Sequence, residues 1–382
     1  MTALSLTQVG IDGFRGLRSL DPDGLGRVNI LVGSNNSGKT SVLEALSILC
    51  QPFNPDEWLS MVRRRDFGRL DETLIQSLRW CFTRAVELTH PDQLIEAACE
   101  FKCHGRFPLR GLRVQYTEFI GEPSSDEIRR SLNFNSWAMR QRTDDQTFGE
   151  TMYGAELVHI PDWLQTVDSN MFHGGAFSLG IEPPSLRVWE RIIPARLGRR
   201  RNNPPRLDSE TLTPYSYQIN RNQVRSQSKR IFEQDSPSVL ELLRDFDADV
   251  DGIDLASFRG DRPAIYIKHR KLGVAPLSVF GDAMRRTVLL AATLPSLRDG
   301  GVLLIDEVEA GIHFSALGRV FAWLLKAART LQVQVFVTTH SLTAIKLTKH
   351  RRSGMDRRNP GSRDGAGLGA SLQSGYRRSM PV

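Results

Sequence analysis

Gly33-Ser34-Asn35-Asn36-Ser37-Gly38-Lys39-Thr40 is the stretch that decides the reading of this chain. Before it stands Arg27-Val28-Asn29-Ile30-Leu31-Val32, an apolar run with the β-branched content of a strand. After it, Ser41 to Leu49 carries apolar residues at 42, 43, 45, 46, 48 and 49, the spacing of a buried helix. Strand, glycine loop and helix together form the context in which GxxxxGK[ST] cradles phosphate. Small residues let successive backbone N–H groups curl round phosphate oxygens, and the helix N-terminus adds the positive end of its dipole. Lys39 then bridges the β- and γ-phosphates, and the Thr40 hydroxyl holds Mg2+. Residues Gly33 to Thr40, with Ser41 behind them, are the expected nucleotide-contacting set.

Further along, Gly300-Gly301 opens Val302-Leu303-Leu304-Ile305, a strand that ends in Asp306-Glu307. The first carboxylate suits a role in steering Mg2+; the second suits polarisation of an attacking water. A helix from about Phe314 to Leu331 leads to a strand, Val333 to Val337, that ends in Thr338-Thr339-His340-Ser341, where His340 can hydrogen-bond a γ-phosphate. Both strands finish on chemically capable residues, as sites in open α/β sheets do. Leu277 to Leu294 reads as a short polar turn followed by an apolar-faced helix. At the N-terminus Leu4, Leu6, Val9 and Ile11 alternate like a strand, and its simplest partner is the strand at 27–32.

A chain of 382 residues, 40% hydrophobic and 24% charged, is long enough for a substantial core and lies outside the collagen-like and low-complexity classes. It has no apolar run of membrane-spanning length. Met1 to Gly10 lacks the blocks of a secretory signal, so a cytoplasmic address with no membrane partner is expected. The four cysteines, Cys50, Cys81, Cys99 and Cys103, form no CxxC pair and read as reduced thiols; Cys99, Cys103 and His104 begin a metal-ligand set that nothing nearby completes. The net charge of +7 is uneven. Residues 351–382 carry +5 and residues 187–230 carry +8, so the rest is mildly acidic.

These motifs in this order resemble the ABC-class AAA ATPases of the SMC/RecF/OLD type. The opening Gly13-Phe14-Arg15-Gly16, the loop at 33–40, the stretch Leu303 to His313 and the Thr338 to Leu342 switch carry the resemblance, over residues 1–49 and 275–346. It implies an α/β P-loop NTPase head with ATP and Mg2+ as cofactors. Lys39, Glu307 and His340 take the catalytic roles, Thr40 and Asp306 the metal, and Arg15 a place near the nucleotide. It also implies that Ser278 to Arg286, with Ser278 and Gly281 foremost, caps the γ-phosphate of a second subunit. Residues Glu309 to His313 would be the loop that crosses that interface. An ATP-dependent homodimer or higher oligomer follows. Ala283 departs from the glycine common at that point of the signature.

The expected organisation is an N-terminal lobe at 1–49, a mixed helical and strand insertion at 50–270, a C-terminal lobe at 271–348 and a disordered basic tail at 349–382. The insertion lacks heptads, which resembles the compact RecF/OLD arrangement rather than a coiled coil. Its basic segment, with Arg191, Arg196, Arg199, Arg200, Arg201, Arg206, Tyr215, Tyr217, Arg221 and Arg225, is either a nucleic-acid track or a solvated loop. The tail is either a nucleic-acid-binding segment or, as favoured, a shortened or frame-shifted end. No acidic TOPRIM-like pair follows His340, so nuclease activity is not expected. Two functions remain in play. One is an ATP-hydrolysing switch serving DNA repair or antiphage defence through nucleic acid or a separate effector. The other is a regulatory module that holds nucleotide with negligible hydrolysis. A transporter's ATPase subunit fits poorly.

Overall fold

The computed structural model describes residues 3–65, 73–83, 93–128, 151–163, 183–190, 206–216, 236–256, 264–340 and 372–373. Contacts divide the chain into two compact units. The first comprises Met1–Thr7, Asp23–Leu43 and Asp208–Val382, and the second Gln8–Pro22 and Glu44–Leu207.

The first unit is an α/β fold built on a parallel sheet. Its strand order is β13 (Leu372–Gln373), β2 (Val28–Val32), β12 (Gln334–Thr339), β11 (Val302–Ile305) and β7 (Ser209–Leu212). β11 and β12 are buried at every position and β2 at all but its last, so none of these strands alternates between a buried and an exposed face. Parallel neighbours need a crossover, and helix α6 (Phe314–Thr330) supplies it between β11 and β12. Leu317, Val320, Phe321, Leu324 and Ala328 repeat at helical spacing and face the sheet residues Leu303, Ile305, Val335 and Val337 in one core cluster. Burying each such side chain contributes roughly 1.5–3 kcal/mol. At the N-terminal end of the sheet the buried Gln334 amide accepts from Leu6 N (3.0 Å) and donates to Leu6 O (2.7 Å), so a buried polar group is fully used. Gly301 precedes β11 because a Cβ there would stand 2.5 Å from Leu297 O and 2.9 Å from Asp208 O.

A second sheet in this unit is antiparallel, with order β10 (Gly273–Pro276), β9 (Ala264–His269) and β8 (Val250–Ala256). A 3-10 turn, Leu277–Val279, leads from β10 into helix α5 (Asp282–Thr293). Met284, Val288 and Ala291 of α5 pack with Val239 and Leu243 of helix α4 (Ser236–Arg244) and with Ile265 and Ile267 of β9. Leu289 and Leu290 of the same helix belong to the core of the parallel sheet. A helix used on both faces is buried almost all round, and α5 is.

The second unit holds an antiparallel sheet of order β1 (Gln8–Asp12), β3 (Glu96–His104), β4 (Leu109–Gly121), β5 (Met152–Trp163) and β6 (Ser185–Trp189). In β3 the residues Cys99, Phe101 and Cys103 face inward while Lys102 and His104 are exposed, the period-two pattern of a sheet buried on one face. Cys103 and His104 therefore point to opposite faces and form no common ligand set. Burial pushes the Cys81 and Cys103 thiols up to about 12 and raises Cys99 well above its ordinary value, so all three stay protonated and unreactive. Helices α1 (Lys39–Cys50), α2 (Asp56–Arg65) and α3 (Leu74–Arg79) complete the described helices up to residue 128, apart from one short turn at 125–128. Trp58 of α2 stacks on Phe82 (5.3 Å), which in turn stacks on Tyr116 of β4 (4.9 Å).

The expected pairing of the first two strands does not occur. β1 pairs with β3 in the antiparallel sheet and β2 lies between β12 and β13 in the parallel one. Burial explains the separation, because β1 alternates and suits a one-faced sheet whereas β2 is buried at all but its last position and suits a covered one. Of the tail at 349–382 only Leu372–Gln373 is described, as a strand paired with Leu31 and Val32; the rest lies outside the described residues.

Candidate functional site

β2 delivers its chain into the loop at 33–38, and the backbone of that loop explains its composition. Gly38 has φ +85 and Asn36 φ +60, the left-handed region that glycine and asparagine tolerate best. A Cβ on Gly33 would lie 2.5 Å from Ser37 Oγ and 3.3 Å from Ser37 Cβ, so a side chain there would force Ser37 to shift. α1 then starts at Lys39, and its first-turn N–H groups open toward the loop. The Lys39 ammonium folds back and donates to Gly33 O (2.9 Å) and Ser34 O (2.7 Å). Ser34, Asn35 and Asn36 are exposed, while Ser41 is buried in the helix behind them. Burial lowers the Lys39 pKa, opposed by the charges of Asp306, Glu307 and Glu309.

Parallel register carries three strand ends to one edge. Val32 pairs with Thr339 and Ile305 with Val337, so Gly33, Asp306 and His340 emerge side by side at the carboxyl ends of β2, β11 and β12. Thr40 Oγ1 lies 3.2 and 3.1 Å from the two Asp306 carboxylate oxygens and donates to them. Thr338 Oγ1 donates to Asp306 Oδ1 (2.6 Å) and accepts from Glu307 N (2.8 Å). Glu307 Oε1 is 3.7 Å from His340 Nε2, and His340 N donates to Glu309 Oε1 (2.5 Å). Side chains of Glu307 and His340 are 45% and 35% exposed, which leaves both open to an incoming ligand.

Lys39, Thr40, Asp306, Glu307 and His340 are thus brought together. Ser278 sits exposed in the 3-10 turn and Gly281 caps the start of α5, where an added Cβ would meet nothing within 4 Å. Ala283 is partly buried against the core of the parallel sheet, a packing role that a glycine would leave empty. Gly311, at φ +71, turns the loop after Glu309, and His313 caps α6 by accepting from Ser315 N. Arg15 belongs to the second unit, where its Nε lies 2.7 Å from Glu44 Oε2; Arg65 Nε holds the other Glu44 oxygen at 2.6 Å. In the basic segment Arg187 pairs with Glu156 (3.1 Å) and Tyr215 is 46% exposed. Residues Arg191, Arg196, Arg199, Arg200, Arg201, Tyr217, Arg221 and Arg225 lie outside the described residues, as does Ser341.

Sequence reasoning missed the partners that hold the carboxylate turn. Thr338 is fully buried and turned toward Asp306 and Glu307. Arg286, 3% exposed, donates from Nη2 to the carbonyls of Asp306 (2.8 Å) and Glu307 (2.7 Å) and from Nη1 to Pro214 O (3.2 Å). A lone arginine facing inward from a helix apolar on both sides is the signal that could have found it. A grouping of Asp247, Asp249 and His269 also stands in this unit. There the ring of His269 is already committed: Nδ1 accepts from Lys271 N (3.2 Å) and Leu272 N (3.1 Å), so Nε2 carries the proton shared with Asp247 (3.1 Å).

Residues 5–108 match the "AAA ATPase domain" model, and residues 184–346 match the model described as "AAA domain, putative AbiEii toxin, Type IV TA system". The uncharacterized protein MJECL11 of Methanocaldococcus jannaschii is 39% identical over 92 residues, which is 23% of this chain and 81% of that protein. An "ATP/GTP phosphatase" of Helicobacter pylori is 21% identical over 356 residues, 90% of this chain and 87% of the relative. The solved structure of the SmcHead bound to the C-winged helix domain of ScpA aligns with a TM-score of 0.44 at 12% identity, covering 90% of this chain and 92% of that one.

Proposed function

The chain belongs to the AAA family of P-loop ATPases, and from that premise we propose that it is an ATP-hydrolysing switch of the SMC/RecF/OLD type. The observation that carries this reading is the meeting of Lys39, Thr40, Asp306, Glu307 and His340 at one sheet edge. The loop at 33–38 fits a triphosphate, since a side chain at Gly33 would crowd Ser37 and Gly38 adopts a left-handed backbone angle that suits a loop curled round an anion. Thr40 and Asp306 offer hard oxygen donors within 3.2 Å of one another, a donor set suited to Mg2+. When bound, Mg2+ neutralises charge on the β- and γ-phosphate oxygens.

The remaining steps belong to the chain's own groups. Lys39 exchanges the carbonyls of Gly33 and Ser34 for phosphate oxygens and stays cationic, held so by the nearby carboxylates. Glu307 accepts a proton from the attacking water. His340, 3.7 Å from the Glu307 carboxylate, donates to the terminal phosphate and senses its loss. Ser278 and Gly281, exposed at the start of α5, would meet the nucleotide of a second copy, so that ATP pairs two heads and hydrolysis releases them. The 187–230 segment would carry nucleic acid, and a separate effector would turn the cycle into DNA repair or antiphage defence.

Light scattering on Glu307→Gln tests the pairing. In Mg-ATP this variant should elute at twice the mass it shows in Mg-ADP, and Ser278→Arg in the same background should remain a monomer. Retention on DNA at low salt should fall when Arg199, Arg200 and Arg201 become Ser. ATP binding with neither turnover nor pairing would instead favour a regulatory module that holds nucleotide as a structural ligand.

A further inference from the structure

The carboxylate turn at the end of β11 is held in a conformation that its own residue disfavours. Glu307 has φ +47, and a non-glycine residue in the left-handed region is strained and persists there only where its surroundings impose it. Two buried side chains supply that imposition from opposite sides. Arg286, from α5, reaches the carbonyls of Asp306 and Glu307, one on each side of the Glu307 Cα, at 2.8 and 2.7 Å. Thr338, from β12, receives the Glu307 amide at 2.8 Å and fixes the Asp306 carboxylate at 2.6 Å.

The chemistry of these contacts is particular. A guanidinium is planar and carries several donors, so one Arg286 nitrogen serves two carbonyls while another serves Pro214 O at 3.2 Å. An ammonium presents its donors from a single point and cannot span the three carbonyls. The threonine hydroxyl donates to one residue of the pair and accepts from the other, a combination that valine has the shape for and not the chemistry. Burying a charge to hold main-chain carbonyls is costly wherever an apolar side chain would fill the space, so packing alone does not account for Arg286 at 3% exposure.

We propose that Arg286 and Thr338 are positioning residues that lock the Asp306–Glu307 turn, and thereby aim the Glu307 carboxylate at the reacting end of the site. The functional half of this statement rests on the hydrolase reading above; the structural half, that these two side chains hold the turn, does not.

Arg286→Lys, Thr338→Val and Thr338→Ser separate the possibilities. Steady-state turnover and nucleotide affinity are measured for each, together with hydrogen exchange of the peptide spanning 305–309 in the nucleotide-free chain. Misaimed catalytic groups lower kcat more than they weaken binding, so Arg286→Lys and Thr338→Val should lose about 10- to 100-fold in kcat with Kd within about 3-fold. Thr338→Ser keeps the hydroxyl and should keep kcat within about 3-fold of the unaltered chain. The Glu307 amide should exchange about 10-fold faster in Arg286→Lys and Thr338→Val, with the peptides of α6 unchanged.

An unaltered kcat in Arg286→Lys overturns the aiming role, as does a loss in kcat matched by equal losses in affinity and melting temperature. Unchanged exchange at Glu307 in both variants overturns the lock itself. If the unaltered chain turns over no ATP, the hydrolase reading fails, and the exchange measurement alone decides whether the lock exists.

Discussion

The buried polar groups of the second unit and the half-buried ones at the sheet edge of the first are used in opposite ways. In the second unit Glu118, whose side chain is fully buried, holds the Arg79 guanidinium at 2.7 and 2.6 Å, while Tyr116 OH donates to it at 2.7 Å. Glu118 is kept ionised by this set, its pKa falling below the ordinary value despite the opposing effect of burial, while the Arg79 pKa is raised chiefly by its hydrogen bond to Glu118. His159, in the same unit, accepts from Trp58 Nε1 and donates from Nδ1 to Pro52 O, both at 2.9 Å. At the sheet edge of the first unit, Thr40 and Lys39 instead spend their donors on groups that a metal ion or a phosphate would displace. The difference teaches how to tell a site from a satisfied core. A core closes every hydrogen bond on permanent partners, whereas a site keeps bonds it can exchange, on side chains that are partly open.

The contrast can be broken most severely at Lys39. Lys39→Ala should weaken ATP binding by at least about 100-fold, since each charge-assisted hydrogen bond to phosphate is worth roughly 1.5–3 kcal/mol. Thermal stability should change little; titration with a fluorescent ATP analogue beside a melting curve checks both. Glu118→Ala should do the reverse. It leaves Arg79 buried without its carboxylate and should destabilise the chain by about 3–5 kcal/mol in urea unfolding, with ATP affinity of the surviving folded fraction unaltered.

A gentler test uses pH. Burial lowers the His159 pKa from its ordinary 6.5 to about 4, so the unfolded chain binds a proton that the folded chain refuses. Stability from this group is complete above pH 6.5, falls as pH drops toward 4, and amounts to about 3 kcal/mol over that window. His159→Gln can keep both hydrogen bonds without titrating, so its urea midpoint should be less steep with pH in that window; an identical slope in both chains contradicts the assignment. The smallest effect is expected at Arg113, which meets Glu100 at 3.2 Å with both side chains about half exposed. Arg113→Ala should change stability by less than about 0.5 kcal/mol.

Local chemistry explains what was legible in the sequence. Glycines at 33 and 38 and carboxylates at 306 and 307 stand out in the sequence because loop backbone and strand ends favour those residue types at those spacings. The helix over Phe314–Thr330 was equally plain from periodicity, and the strands around Leu303 and Val335 from their apolar runs. Strand partners were not, since pairing is long-range: β1 finds β3 some ninety residues later, and β7, only four residues long, joins the parallel sheet beside β11. Arg286 and Thr338 were hidden for the same reason. Their roles depend on carbonyls and amides brought to them by other segments, and a backbone acceptor leaves no mark in a sequence.

Phosphate release from Mg-ATP by the unaltered chain, run beside Glu307→Gln with ATP affinity measured on both, tests the central claim most directly. The account predicts steady turnover by the unaltered chain and a loss of about 100- to 1,000-fold in the variant at undiminished affinity, as expected when one catalytic proton acceptor is removed. Equal turnover by the two chains, or none by either while both bind ATP, would contradict it.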